Sequence, residues 1–151
     1  HRAELIKKTV ADLPVRVHVA DGRNPGLEAG FDRVLVDAPC SGLGALRRRP
    51  EARWRKSESD IAGLNELQFE LLESALKLVR PGGVVVYSTC SPDLRETRDV
   101  VDRAVAKLGA VELDAHELIP DMGDVGHHKS VQMWPHRHGT DAMFFAALRR
   151  D

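Results

Sequence analysis

The only two cysteines of this chain are the side chains whose type and position best indicate chemistry. Cys40 stands in VLVDAPCSGLG and Cys90 in VVVYSTCSPD, each after an apolar run typical of a buried β-strand. A thiolate is strongly nucleophilic near neutral pH, and a turn at the end of a strand presents it to a substrate. On this pattern alone, two small and inert apolar side chains are an equally good interpretation.

Two acidic residues also follow strand-like runs. Asp37 comes before Ala-Pro-Cys40, and Asp21 follows an alternating run over residues 15–20. A carboxylate at the end of a strand can accept hydrogen bonds from the amino group of a cofactor or a base. It can equally shape the turn by accepting from its own backbone. The sequence leaves both roles open for each residue.

A basic segment follows Cys40. Residues 47–56, RRRPEARWRK, form what we call the basic loop, which combines six cationic residues with one acid and a tryptophan. Arginine suits phosphates and an aromatic ring can stack on a base, so the loop is predicted to contact RNA or single-stranded nucleic acid. The alternative is a solvated loop with its tryptophan in the core. The candidate RNA-binding residues are Arg47, Arg48, Arg49, Arg53, Trp54, Arg55 and Lys56.

Metal, membrane and export functions find little support in the sequence. The histidines near the C-terminus match no zinc pattern and have no cysteine beside them, so no metal is predicted. No apolar run approaches the roughly 18 residues of a membrane span, and the N-terminus has no signal-peptide core, which favours a cytoplasmic protein. The net charge of −1 requires any nucleic-acid binding to come from local patches. The candidate ligands rejected are His127, His128, His136, His138 and Asp141.

The elements that must position these side chains alternate between helix and strand. Such alternation predicts an α/β fold with a mostly parallel sheet, in which ligands bind beyond the carboxyl ends of the strands. The two strands before the cysteines are expected to be neighbours, so that both thiols face one crevice. The first of them is expected to be covered on both faces. Predicted helices span 2–12, 59–79 and 95–108; predicted strands span 15–20, 31–36, 84–89, 111–113 and 142–148.

Three stretches together resemble a known family: VLVDAPCSGLGALRRRPEARW, GGVVVYSTCS and PHRHGTDAMFFAALRR, in this order. They are similar to the RNA cytosine-C5 methyltransferases, most of all to the ribosomal RNA small-subunit methyltransferase B (Sun/Fmu) type. The resemblance implies a Rossmann-like fold with an antiparallel C-terminal strand. It also implies methyl transfer from S-adenosylmethionine to a cytosine in RNA, of the 16S ribosomal type.

The resemblance also implies a role for each candidate residue. Cys90 is the nucleophile that adds to C6 of the cytosine, and Cys40 assists release of the adduct. Asp37 contacts the cytosine and the cofactor, while Asp21 holds the adenine end of the cofactor. The target base has to leave its stack to reach the crevice. The basic loop holds the RNA.

Some parts of the family pattern do not occur in this sequence. The glycine-rich cofactor loop, the acid that binds the ribose and the N-terminal RNA-binding domain are expected to precede His1. Residues 1–151 are therefore interpreted as the C-terminal part of a catalytic domain, without the first two strands of its sheet. An open sheet edge favours self-association. We expect this chain alone to bind the cofactor weakly and to be inactive. Asp141-Ala142 stands where the family has Asp-Gly.

Two other functions remain open on the sequence. The chain could be a non-catalytic RNA-binding or interaction module that uses the basic loop. It could also act on DNA, because DNA cytosine-C5 enzymes carry their nucleophile in a Pro-Cys motif like Pro39-Cys40. The Thr-Cys-Ser motif around Cys90 argues against DNA.

Overall fold

The fold is a five-stranded mixed sheet with its longest helices on one side, as a computed structural model describes it for residues 2–54 and 57–151. Among the described residues no helix is long and apolar enough to cross a membrane. The strands are β1 (Phe31–Asp37), β2 (Val79–Thr89), β3 (Val111–Leu113), β4 (Val131–Gln132) and β5 (Phe144–Arg149). The helices are α1 (Arg2–Thr9), α2 (Glu58–Leu78), α3 (Arg98–Leu108) and α4 (Pro135–His138).

Strand β1 lies at one edge of the sheet and pairs in parallel with β2, with Asp37 aligned with Ser88. Helix α2 makes the crossover between them. The C-terminal strand β5 runs antiparallel to β2 on its other side and also pairs antiparallel with β3 and β4. Strands β1 to β4 therefore share one direction and β5 opposes them. The α/β class, the neighbouring strands and the antiparallel last strand are confirmed, although β5 makes most of the described pairings antiparallel.

Helix α2 is stabilised by a capping hydrogen bond at its start and by the burial of its apolar face. At its start the Ser57 backbone N–H donates to the Asp60 carboxylate at 2.8 Å. Its apolar face, with Leu72 fully buried, packs on the sheet and against α3. The helix ends at Leu78 and β2 begins at the next residue. The Pro-Gly-Gly stretch at 81–83, which the sequence predicted to end the helix, lies inside the strand instead.

Three predictions about the N-terminal third differ from the structure. Residues 15–20 form no strand, and Val15 and Val19 are exposed. A strand exists only where another strand pairs with it, and no described strand does so here. Nor is β1 covered on both faces. Val34 packs on the core, whereas Leu35, on the opposite face, is 69% exposed. Helix α1 also ends earlier than predicted, at Thr9.

Candidate active site

The two thiols meet at the carboxyl end of the parallel pair. Cys90 follows β2 directly, Cys40 lies three residues beyond β1, and their Sγ atoms are 3.3 Å apart. Both are free thiols and both are partly exposed. The prediction that neighbouring strands bring the two thiols together is confirmed. The aligned ends of β1 and β2 bring them together even though 50 residues separate them in sequence.

The contact between the thiols makes them unequal acids. When Cys90 loses its proton, the Cys40 S–H donates to the thiolate, and this bond lowers the pKa of Cys90 to about 7. The same bond, together with burial, raises the pKa of Cys40. The Asp37 and Asp141 carboxylates oppose ionisation of Cys90 but do not outweigh the hydrogen bond. Near neutral pH the pair therefore offers one thiolate, on Cys90.

A glycine fixes the backbone of Cys90. The Gly44 N–H donates to the Cys90 carbonyl at 2.9 Å, and the Ala142 N–H donates to the Gly44 carbonyl at 3.0 Å. A Cβ atom at position 44 would lie 2.2 Å from the Ala142 carbonyl oxygen and 2.8 Å from that of Cys90. Only a glycine therefore fits at position 44, where the loop after Cys40 contacts the backbone of both Cys90 and Ala142.

A buried carboxylate fixes the turn that carries Cys40. Glu96, which is fully buried, accepts from the Ser41 N–H at 2.7 Å and from the Ser41 hydroxyl at 2.5 Å. Gln68 Nε2 donates to the same carboxylate at 3.2 Å and to the Pro39 carbonyl at 2.9 Å. Glu96 could not be predicted from the sequence, because it stands among polar residues in DLRET, where nothing marks it as buried.

Arg48 forms an ion pair with Asp141 near the thiols. Its guanidinium donates through two nitrogens to Asp141, whose side chain is buried although that of Arg48 is 70% exposed. Asp141, and to a lesser degree the Cys90 thiolate, raise the pKa of Arg48. Arg48 was predicted to bind RNA. In the structure its guanidinium pairs with Asp141, and the RNA contact stays a prediction. The ion pair joins the basic loop to the segment before β5.

The two predicted acidic site residues have different surroundings. Asp37 is exposed at the end of β1, close enough to affect Cys90, and its carboxylate has no hydrogen-bond partner among the described residues. Asp21 ends no strand, because residues 15–20 are loop. Arg23 binds its carboxylate at 2.7 Å and holds its pKa at about 2. Arg23 also reaches Glu70 on α2, so Asp21 shapes a turn in this structure, and its contact with the adenine end of the cofactor stays a prediction.

The basic loop carries an exposed aromatic ring. Trp54 ends a short 3₁₀ helix with 86% of its surface exposed, so the alternative that placed it in the core is wrong. Arg49 and Arg53 are exposed and make no ion pair within the described part of the chain. Arg47 makes one long contact, to the Gly139 carbonyl at 3.5 Å. The remaining predicted contacts, Arg55 and Lys56, lie outside the described residues.

The histidines serve the local structure. His138 Nδ1 accepts from the Trp134 N–H at 2.8 Å, and its Nε2 contacts the Gly123 carbonyl at 2.9 Å. These bonds tie α4 to the loop around residue 123. Within residues 2–54 and 57–151, no three histidine, cysteine or acidic side chains come together as a group that could hold a metal.

Comparison with known proteins places this arrangement in a family. The model of the family described as 16S rRNA methyltransferase RsmB/F matches residues 1–149. The putative methyltransferase Rv1407 of Mycobacterium tuberculosis is 56% identical over 99% of this chain and 33% of its own length. The probable ribosomal RNA small subunit methyltransferase B of Bacillus subtilis is 33% identical over 99% of this chain and 36% of its own.

A solved structure shows the same fold. The crystal structure of NSun6 from Pyrococcus horikoshii with SFG superposes with a TM-score of 0.79 and 28% identity, over 99% of this chain and 38% of that one. The present chain thus spans about a third of the length of these proteins. By its match over nearly all residues, the chain belongs to the 16S rRNA methyltransferase RsmB/F family.

Proposed function

We propose that the protein containing this chain transfers a methyl group from S-adenosylmethionine to C5 of a cytosine in RNA, through a covalent bond between Cys90 and C6. The observation that carries the proposal is the 3.3 Å contact between the two thiols at the ends of adjacent parallel strands. Membership of a 16S rRNA methyltransferase family supports ribosomal RNA as the substrate, which would be met in the cytoplasm. SFG, found with NSun6, is an analogue of the proposed methyl donor.

A thiolate solves the chemical problem of this substrate. C5 of cytosine is a poor nucleophile until a group adds to C6. Addition of the Cys90 sulfur forms the S–C6 bond and shifts electron density to C5, which accepts the methyl group. A base then removes the C5 proton, the S–C6 bond breaks, and the electrons restore the aromatic ring and the Cys90 thiolate. Each bond formed to the enzyme is broken again, so Cys90 is regenerated.

The contact between the thiols supports a different role for each of them. Cys90 has the lowered pKa and is thiolate near pH 7, so it attacks. Cys40 stays protonated because its hydrogen bond to Cys90, and after that its burial, raise its pKa. Once Cys90 is bonded to carbon, its sulfur no longer accepts the Cys40 hydrogen bond, and the partly exposed Cys40 can lose its proton to solvent and become a thiolate. Cys40 can then accept the C5 proton, which is the step that permits release.

The described residues fit the methyl donor in part. The Asp37 carboxylate is free to accept hydrogen bonds beside the thiols, and a cavity of about 260 Å³ lies next to it, between Gly22 and Pro25 on one side and β1 on the other. The half-exposed Asp21 carboxylate pairs with Arg23, so a contact with the adenine end of the donor would share or replace that pair. We assign Asp37 to the donor and to the cytosine edge. When bound, S-adenosylmethionine supplies the methyl group.

The chain works in this proposal as part of a longer protein. It covers about a third of its relatives, so the remaining cofactor contacts and a separate RNA-binding domain are assigned to residues outside it. Among the described residues of the basic loop, the exposed Trp54 and the unpaired Arg49 and Arg53 are available to RNA. They lie in the loop that begins a few residues after Cys40, so RNA held there would pass the thiols.

Direct analysis of the product tests this function. The full-length protein is incubated with S-adenosylmethionine and small-subunit ribosomal RNA, and the digested nucleosides are measured by mass spectrometry. We expect 5-methylcytidine from the unaltered protein, none from Cys90→Ser, and protein–RNA complexes that persist with Cys40→Ser. Formation of 5-methylcytidine by Cys90→Ser at the unaltered rate would exclude the mechanism.

A non-catalytic RNA-binding role is the second candidate, because the exposed Trp54 and the free arginines of the basic loop do not require the thiols. It predicts salt-sensitive RNA binding that is unchanged in Cys90→Ser and Cys40→Ser. It also predicts that no modified nucleoside forms. The product analysis therefore separates the two functions.

A further inference from the structure

Glu96 is a buried acid for which the proposed reaction has no direct use. It lies in the 3₁₀ turn Leu94–Glu96, between the nucleophile loop and α3, and none of its surface is exposed. Burying a carboxylate is costly unless hydrogen bonds replace its water. Ser41 supplies two of these bonds and Gln68 a third.

All of these bonds lead to the turn that carries Cys40. Ser41 follows Cys40 directly, and its N–H and hydroxyl both donate to Glu96. Gln68 donates both to Glu96 and to the carbonyl of Pro39, the residue before Cys40. The turn is therefore held on both sides of the cysteine from a single buried carboxylate.

We propose that Glu96 is a positioning residue for the thiol pair: its buried carboxylate holds Pro39-Cys40-Ser41 so that the Cys40 sulfur reaches the Cys90 sulfur. The importance of this contact for catalysis rests on the proposed function. The positioning itself does not, because it concerns only the geometry of the two thiols. Glu96 does not touch them and acts through Ser41.

The consequence is measurable as the acidity of Cys90. If the turn loosens, the Cys40 S–H no longer stabilises the Cys90 thiolate. The pKa of Cys90 then rises from about 7 toward the ordinary cysteine value of roughly 8.5. At pH 7 the thiolate fraction would fall by up to roughly 16-fold, and the rate of alkylation would fall with it.

The test is alkylation by iodoacetamide as a function of pH, with the modified peptide identified by mass spectrometry. Glu96→Gln keeps the shape of the side chain but replaces one acceptor by a donor that faces other donors. We expect its Cys90 midpoint to rise by at least one pH unit, close to that of Cys40→Ala. Ser41→Ala removes the hydroxyl bond to Glu96 but keeps the bond from the Ser41 N–H, and it should shift the midpoint in the same direction by less. It also keeps the proposal testable if Glu96→Gln does not fold.

Tyr87→Phe is the matched control. The Tyr87 hydroxyl donates to the Glu96 backbone carbonyl at 2.8 Å, so its loss weakens the same core without touching the carboxylate. It should lower the melting temperature and leave the Cys90 midpoint unchanged. The proposal is overturned if folded Glu96→Gln, or Ser41→Ala, keeps the midpoint of the unaltered chain, or if Tyr87→Phe shifts it as far as Glu96→Gln.

The titration needs neither RNA nor methyl donor, so the two proposals can fail separately. An altered midpoint in Glu96→Gln, in a protein that forms no 5-methylcytidine, would refute the proposed function and keep the positioning role. An unaltered midpoint, in a protein that does methylate RNA, would refute the positioning role alone.

Discussion

Substitution of Gly44 by alanine should damage the site more than any other change of a single methyl group. The new Cβ would lie 2.2 Å from the Ala142 carbonyl oxygen and 2.8 Å from that of Cys90, where real contacts exceed 3.0 Å. The loop must therefore move by about an ångström. That movement strains two hydrogen bonds, Gly44 N–H to Cys90 and Ala142 N–H to Gly44.

The expected cost can be added from these parts. Overpacking of a well-packed site costs roughly 1–3 kcal/mol, and loss of each hydrogen bond costs roughly 0.5–1.5 kcal/mol. The total is about 2–6 kcal/mol, a large share of the roughly 5–15 kcal/mol by which a domain is stable. Because the Cys90 carbonyl is displaced, the thiols should separate as well.

Urea denaturation of the two proteins, followed by circular dichroism, measures the stability, and iodoacetamide titration reports on the thiols. Gly63→Ala is the matched control. It adds the same methyl group in α2, where nothing lies within 4 Å of the new Cβ, and should stabilise by up to about 1 kcal/mol. Gly44→Ala with the stability and the Cys90 midpoint of the unaltered chain would refute this reasoning.

Three further predictions concern stability and RNA. Thr89 Oγ1 is buried without a partner among the described residues, so Thr89→Val should raise the free energy of unfolding by about 1 kcal/mol in urea denaturation, and a decrease would contradict it. Arg95 lowers the pKa of Asp93 below 3.8, so this carboxylate stabilises the fold above that pH and the contribution is lost as the pH falls through the lowered value. Asp93→Asn should therefore reduce the difference in urea midpoint between pH 6 and pH 3, and an unchanged difference would count against it. Arg53→Ala should flatten the slope of log affinity against log salt concentration for single-stranded RNA by about 0.7, measured by fluorescence anisotropy. An equal loss of affinity at every salt concentration, with the slope unchanged, would show that Arg53 does not contact a phosphate.

Local patterns gave the elements that run from β1 to α3. The apolar residues of α2 recur at helical spacing, and β1 and β2 are compact apolar runs, so the sequence alone indicates these elements. Their order as strand, helix and strand follows because connections between parallel strands are short and right-handed. Residues 15–20 show the limit of such patterns. Their alternation is typical of a strand, but a strand is stable only beside a partner, and a sequence pattern does not say whether one is there.

The thiols could be predicted from the sequence and their supports could not. The position of each cysteine after an apolar run is visible in the sequence. Glu96, by contrast, is defined by which groups surround it in space, and its burial follows from the packing of α2 and the loop after β2. The pairing of Arg48 with Asp141 also depends on the fold, because the sequence does not distinguish Arg48 from the other arginines of the basic loop. The two glycines of Ser-Gly-Leu-Gly are the local signal that the backbone at Gly44 lies close to another segment.

The covalent role of Cys90 is tested most directly with RNA that contains 5-fluorocytosine. Fluorine at C5 cannot leave as a proton does, so the bond between sulfur and C6 persists after methyl transfer and can be mapped by mass spectrometry. With the full-length protein and S-adenosylmethionine, we predict one adduct, on Cys90, which is absent in Cys90→Ala and present in Cys40→Ala. An adduct on Cys40, or adduct formation by Cys90→Ala, would contradict the account.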